Sequence, residues 1–192
     1  MTLANPDAVD FLLTRRSRPA KTLVPPVPDR EALAPILTAA LRSPDHGKLE
    51  PWRLIVLERA ALVRLADLVD QIGAAQARAP EEILKQRSAY ADSHLAVAVI
   101  ACPQASEKIP EVEQTLSAGA VCTALLNAAL AVGWGANWLS GWASHDPDFR
   151  AKGLALEGGE WIAGVIHIGT ETSAPPERPR PDAAQKVQWM DA

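Results

Sequence analysis

Residues 41–56 read LRSPDHGKLEPWRLIV, and the way this stretch divides decides the fold. Leu41 closes a series with Leu33, Ile36 and Leu37 at helical spacing, so the stretch begins as the end of a helix that Asp29 caps and that runs to about Arg42. From Trp52 to Glu58 the residues alternate and are rich in Leu, Ile and Val, as a strand should be. Between the two lie a Pro, an Asp, a His and a Pro-Trp pair, although a cap and one turn residue would suffice. Read alone, Pro44-Asp45 serves equally as a turn and cap, His46 as a polar loop residue and Trp52 as a core anchor.

Working outward, Asn5-Pro6-Asp7 supplies an N-cap, a first-turn proline and a first-turn carboxylate for a helix to about Thr14 or Arg15. Its Val9, Leu12 and Leu13 share one face. Residues 18–28 hold four prolines and no period, which makes them an extended connection; Pro35 lies past the first turn of the next helix and can kink it. Two helices, 60–76 and 80–92, flank Ala79-Pro80. The apolar run Leu95 to Cys102 is a buried strand, and an Ala-rich helix spans about 110–132. Gly133-Trp134-Gly135 ends that helix before a short strand at 135–139. A small helix near 146–152 and a strand from Trp161 to Ile168 follow. The strands are too few for a doubly wound sheet, so the expectation is an α+β fold, a small sheet wrapped by helices. The whole chain, 1–192, reads as a single domain with a core at about 7–171 and an extended tail at 172–192 that forms no core of its own.

Composition narrows the function. Hydrophobic residues make up 48% of the chain, which excludes wholesale disorder. A net charge of −4 argues against nucleic acid or anionic lipid as a partner, while a few local cations remain able to hold a small anion. Cys102 and Cys122 sit in apolar runs and read as buried free thiols of a reducing, cytoplasmic protein. The N-terminus lacks the basic-then-apolar order of a signal peptide. Residues 116–136 are long enough for a membrane span but are Ala-rich and carry Ser117, Thr123 and Asn127, so they read as a helix buried in protein.

The familiar catalytic patterns are missing. His46, His94, His145 and His167 never fall at metal-binding spacing. Ser140 stands near His145, but Trp138 and Trp142 occupy the flanks where a Gly-x-Ser-x-Gly elbow needs glycine. No Walker or Rossmann glycine pattern occurs. Arg15-Arg16-Ser17-Arg18 is different: three guanidiniums and a hydroxyl at a helix end form either a phosphate fork or a solvated cationic cap.

Taken in order, these segments resemble the compact branch of the nitroreductase family. Arg15-Arg16-Ser17 is similar to that family's Arg-Arg-Ser, and Arg42-Ser43-Pro44-Asp45-His46 with Pro51-Trp52 to its Arg-x-Pro-Asp-His and Gln-Pro-Trp. Trp138-Leu139-Ser140-Gly141 stands where the branch has Trp-Arg-Ser-Gly, and His167-Ile168-Gly169-Thr170 where a core strand ends in Leu-Gly-Thr. The resemblance implies a mixed, mainly antiparallel sheet in an intertwined homodimer with exchanged terminal segments and FMN at the interface. It implies that Arg15, Arg16 and Ser17 hold phosphate and ribityl chain, and that Arg42 and His46 contact flavin or phosphate. Trp138, Leu139 and Ser140 would run along the isoalloxazine, with a backbone N–H near Ser140 or Gly141 facing flavin N5. No side chain is then needed as acid, base or nucleophile, because the flavin carries the hydride. The implied activity is ping-pong reduction of nitro compounds, quinones or similar flat small-molecule acceptors by NAD(P)H. The alternatives are a flavin-storing dimer or another flavin reaction on the same fold. Three residues depart from the family pattern: Leu139 replaces an Arg, Glu50 a Gln, and Lys48 an Asn of larger relatives.

Overall fold

The computed structural model describes residues 3–191; Met1, Thr2 and Ala192, the outermost positions of the single-domain span and its tail, lie outside the described residues. Its first elements are α1 (Pro6–Thr14), β1 (Leu23–Val24), α2 (Arg30–Ala40), β2 (Trp52–Glu58), α3 (Arg59–Ala75) and α4 (Pro80–Ala91). They are followed by β3 (Leu95–Ala101), α5 (Glu111–Ala131), β4 (Gly135–Leu139), α6 (Trp142–His145), β5 (Trp161–Glu171) and α7 (Ala183–Lys186).

β3 is buried along its whole length and forms the middle of the sheet, between β2 and β5. β5 pairs on its other edge with β4 through residues 165–169 and with β1 through Thr170 and Glu171. Every pairing is antiparallel, so among the described residues the expected mixed sheet contains no parallel pair. The fold is α+β, as the element pattern requires.

Alternation along the strands builds two cores. Ala96, Ala98, Ile100 and Val165 pack with α3, Tyr90 of α4 and Ala143 of α6; Leu95, Val97, Val99, Ile166 and Ile168 pack with α2 and α5. The Ala-rich α5 is the one helix among the described residues long and apolar enough to cross a membrane. Its Val121, Cys122, Leu125 and Ala129 are instead fully covered within the second core, where small side chains let the helix lie close to the sheet. Cys102 is half-buried and Cys122 buried, and desolvation pushes their thiols up to about 11 and about 12.

Local differences from the sequence reading have physical causes. The connection at 18–28 contains a 3₁₀ turn at Ala20–Thr22 and β1, a strand too short to show a period. β1 in turn extends β5 to Glu171, beyond the expected Ile168. The small helix expected at 146–152 is absent as such: α6 ends ahead of it at His145, and a wide turn occupies Phe149–Gly153. Asp146 separates the two, accepting through Oδ1 from the Phe149 N–H at 2.8 Å and through Oδ2 from Gln76 Nε2 at 2.6 Å.

Candidate functional site

The arginine run leaves α1 at its C-terminus and is held against β4. The Arg18 N–H donates to the Ala136 carbonyl at 2.8 Å, and Asn137 Nδ2 donates to the Arg18 carbonyl at 2.5 Å. Arg15 Nη2 donates to Ser17 Oγ at 3.1 Å, and Arg16 Nη2 reaches the Pro176 carbonyl at 2.9 Å, which brings the tail back to this point. Carboxylates answer three of the cations: Glu171 lies 2.5 Å from Arg18, while Glu177 lies 2.8 Å from Arg180 and 4.0 Å from Arg16. Arg15 has no carboxylate within ion-pair distance among the described residues. Burial, followed by repulsion from Arg180, Arg16 and Arg18, holds its guanidinium below the ordinary range. The Nε atoms of Arg15 and Arg16 are buried without a partner. Cations gathered this closely, with donors unspent, have the chemistry to hold an anion.

A cavity of about 480 Å³ opens between α4 and the turn that follows β4. Val165 and His167 of β5 line it together with Leu139, Ser140 and Gly141, and Gln86, Tyr90 and Ser93 are also in its wall. Gly141 lies close against Gln86: a Cβ there would fall 1.9 Å from Oε1, the end of a flexible side chain that would have to move. Lys21, Arg78 and Lys85 share the cavity lining with Glu82 and Asp92; Arg78 lies 4.0 Å from Glu82 and 4.2 Å over the Trp142 ring. His167 is 2% exposed, and desolvation pushes it down to about 4, so it is neutral at physiological pH. Ser140 Oγ and His145 Nε2 stand 3.4 Å apart, a long contact for a nucleophile and its base. Trp138 lies over Gly164, where a Cβ would meet the indole Nε1 at 2.2 Å.

The 41–56 stretch forms a separate polar loop. Ser117 Oγ, on α5, donates to the Pro44 carbonyl at 2.8 Å and accepts from Trp52 Nε1 at 2.9 Å. His46 Nδ1 contacts Glu113 Oε2 at 2.7 Å, and Asp45 accepts from the Glu50 N–H at 2.9 Å. The backbone here enters the left-handed region at Gly47, Lys48 and Glu50, with φ of 71°, 56° and 48°. Lys48 and Glu50 thus depart from the family pattern at positions where a side chain is strained.

The model of the nitroreductase family matches residues 12–170, a span that contains the arginine run, the polar loop and the turn after β4. The chain belongs to the nitroreductase family. It is 34% identical over 164 residues to "Putative NAD(P)H nitroreductase YdjA" of Escherichia coli (strain K12), covering 85% of this chain and 88% of that protein. Among solved structures it resembles a nitroreductase-like family protein from Bacillus cereus, with a TM-score of 0.78, 23% identity and 100% of both chains covered. It also resembles "a putative nitroreductase in complex with fmn" from Desulfovibrio desulfuricans, with a TM-score of 0.74, 19% identity, and 99% of this chain and 100% of that one covered. These two likenesses are of fold.

Within this nitroreductase-family chain, the residues singled out from the sequence fall into two groups. Arg15, Arg16 and Ser17 lie beside β4, which carries Trp138 and Leu139 toward Ser140 and Gly141. Arg42 and His46 lie elsewhere, at the end of α2 and against the first turns of α5. Ala136, which anchors the arginine run, pairs with Ile168, whereas Trp52 pairs with Ala101 opposite Trp161. Seven residues of β5 separate those levels, roughly 20 Å at the usual rise of a strand. Three contributors escaped the sequence reading. Arg180 sits in a tail that looked unable to order itself, although its Pro-Arg-Pro setting after a second arginine was visible. Lys85 and Gln86 lie on α4, which was read as a helix with no residue singled out.

Proposed function

We propose that this nitroreductase-family protein is an FMN-dependent oxidoreductase driven by NAD(P)H that acts on flat small-molecule acceptors such as nitro compounds or quinones. The observation that carries the reading is Arg15, an arginine without a carboxylate, its Nε buried and unpartnered, in a run tied to β4, the strand that leads to the cavity-lining turn Leu139–Gly141. A phosphate satisfies the first feature and a planar ring system the second, so the residues present fit FMN. Bound there, FMN supplies hydride acceptance and donation.

The chain's own part is binding, orientation and electrostatics. Arg15, Arg16 and Ser17, with Arg180 from the tail, hold the phosphate. The turn Leu139–Ser140–Gly141 offers backbone groups to the ring, and Val165 with the half-buried Leu139 keeps one side apolar. Lys21, Arg78 and Lys85 outnumber Glu82 and Asp92 in the cavity lining, a balance that favours a reduced, anionic ring.

One chain does not bring Arg42 and His46 to this cavity, and a second copy does so in a homodimer. The faces such an assembly would cover are exposed and apolar: Val9, Leu12 and Leu13 on α1, and Val112 and Leu116 on α5 beside His46 and Glu113. The test is the visible spectrum of the purified protein, followed without oxygen as NADPH is added. Bands near about 370 and 450 nm that bleach with NADPH support a reductase. Bands that do not bleach identify a flavin store, and a protein that remains colourless after addition of FMN overturns the proposal.

A further inference from the structure

His167 is a buried imidazole with one nitrogen committed and one left over. Its Nδ1 lies 2.9 Å from Ser93 Oγ, and Ser93 Oγ donates to the Leu95 carbonyl at 3.4 Å. Because the serine proton is directed at that carbonyl, the bond between the two side chains runs from Nδ1–H to Oγ. The imidazole is neutral, so the proton on Nδ1 leaves Nε2 as a bare acceptor. Nε2 has no hydrogen-bond partner among the described residues, and it is not among the fully occluded unpartnered atoms. His167 lines the cavity, which is where such an atom finds solvent or ligand.

The acceptor-only side-chain groups that line this site are the exposed carboxylates of Glu82 and Asp92 and the Nε2 of the buried His167. Lys21, Arg78 and Lys85 are donors only, and Gln86 and Ser88 are mixed. An oxidised isoalloxazine presents its edge as O2, N3–H and O4, a single donor between two acceptors. Ammonium and amide donors suit the two oxygens, and an imidazole nitrogen held as an acceptor suits the N–H between them.

We infer that His167 is a specificity-determining residue that accepts a hydrogen bond from the N3–H of the flavin ring, with Ser93 fixing its tautomer. The inference rests on FMN being the occupant of this cavity. It assigns a function to a strand residue that lies outside the arginine run, the polar loop and the turn after β4. It also explains a buried histidine facing a cavity where an apolar residue would complete the core.

The test compares FMN with 3-methyl-FMN, which lacks the N3 proton, by fluorescence titration of flavin-free protein. The native chain is expected to bind FMN about tenfold or more tightly than the methylated flavin, since a buried acceptor without its donor is costly. His167→Phe is expected to lose most of that discrimination, chiefly by weaker FMN binding. His167→Gln, which retains an acceptor, is expected to keep part of it. Equal affinity of the native chain for the two flavins overturns the inference, as does discrimination that survives unchanged in His167→Phe. Failure of the native chain to bind either flavin is a separate outcome that overturns the FMN reading itself. If His167→Phe does not fold, the native comparison and His167→Gln decide.

Discussion

Asn137 Nδ2 donates to the Arg18 carbonyl at 2.5 Å, so the arginine run and the strand leading to Ser140 are one unit. Asn137→Leu removes the donor and leaves a half-buried carbonyl unpaired. It is expected to cost about 1–2 kcal/mol of stability in urea titrations. Flavin binding is expected to weaken in the same variant, because Arg15 and Ser17 then lose their placement against β4.

Arg15→Ala separates binding from folding. The native side chain is repelled by Arg180, Arg16 and Arg18 and has no carboxylate partner, so its loss leaves the flavin-free protein as stable as before. FMN affinity is expected to fall by about 1.5–3 kcal/mol, the worth of a hydrogen bond to a charged group. Equilibrium titration and a thermal melt of the same sample check both halves.

Left-handed backbone at Lys48 predicts a stabilising change. Asn tolerates φ near +56° better than Lys does, so Lys48→Asn is expected to raise stability by about 0.5–1 kcal/mol in urea unfolding. No such gain is expected from an Asn placed at Lys85, in the middle of α4.

His167 makes stability depend on pH in a defined window. Its ordinary value is 6.5 and burial lowers it to about 4 in the folded chain. Below pH 6.5 the unfolded chain therefore takes up a proton that the folded chain refuses, and stability falls until about pH 4, where the loss levels off. The full effect is on the order of 3 kcal/mol. Urea titrations between pH 4.5 and 7.5 are expected to show this slope in the native protein and a flatter one in His167→Phe. Glu160 acts lower on the scale: Arg53 hydrogen-bonds its carboxylate and draws it to about 2, so its contribution is lost only as pH falls below about 4.5.

The sequence was most readable where one local pattern governs the backbone. Alternation placed β2 at Trp52–Glu58, and the Gly-Trp-Gly break placed β4 at Gly135–Leu139. Asn5 and Asp29 act as the caps they were read to be, accepting from Ala8 N and Ala32 N. The cavity was not readable, because its wall arises from α4 docking beside the Ser140 turn and no periodicity records which residues of a helix will face a ligand. Nor was Arg180, which depends on Arg16 drawing back a tail more than 150 residues away in sequence. The crowding of residues 41–56 was visible, and its use is double. Pro44 and Trp52 are tied to Ser117 within the chain, while Arg42 and His46 are exposed and, in the proposed homodimer, belong to the site of the second copy.

That division is the central claim, and a mixed dimer tests it directly. Arg15→Ala and His46→Ala chains carrying different tags are co-expressed, and the doubly tagged dimer is isolated and titrated with FMN. Because each site takes its arginine run from one chain and its histidine from the other, one site of the mixed dimer carries both lesions and the other none. One FMN per dimer is therefore expected to bind with native affinity, although each variant alone binds weakly. A mixed dimer in which both sites bind as weakly as in the parent variants would place Arg15 and His46 in the same chain's site and contradict the account.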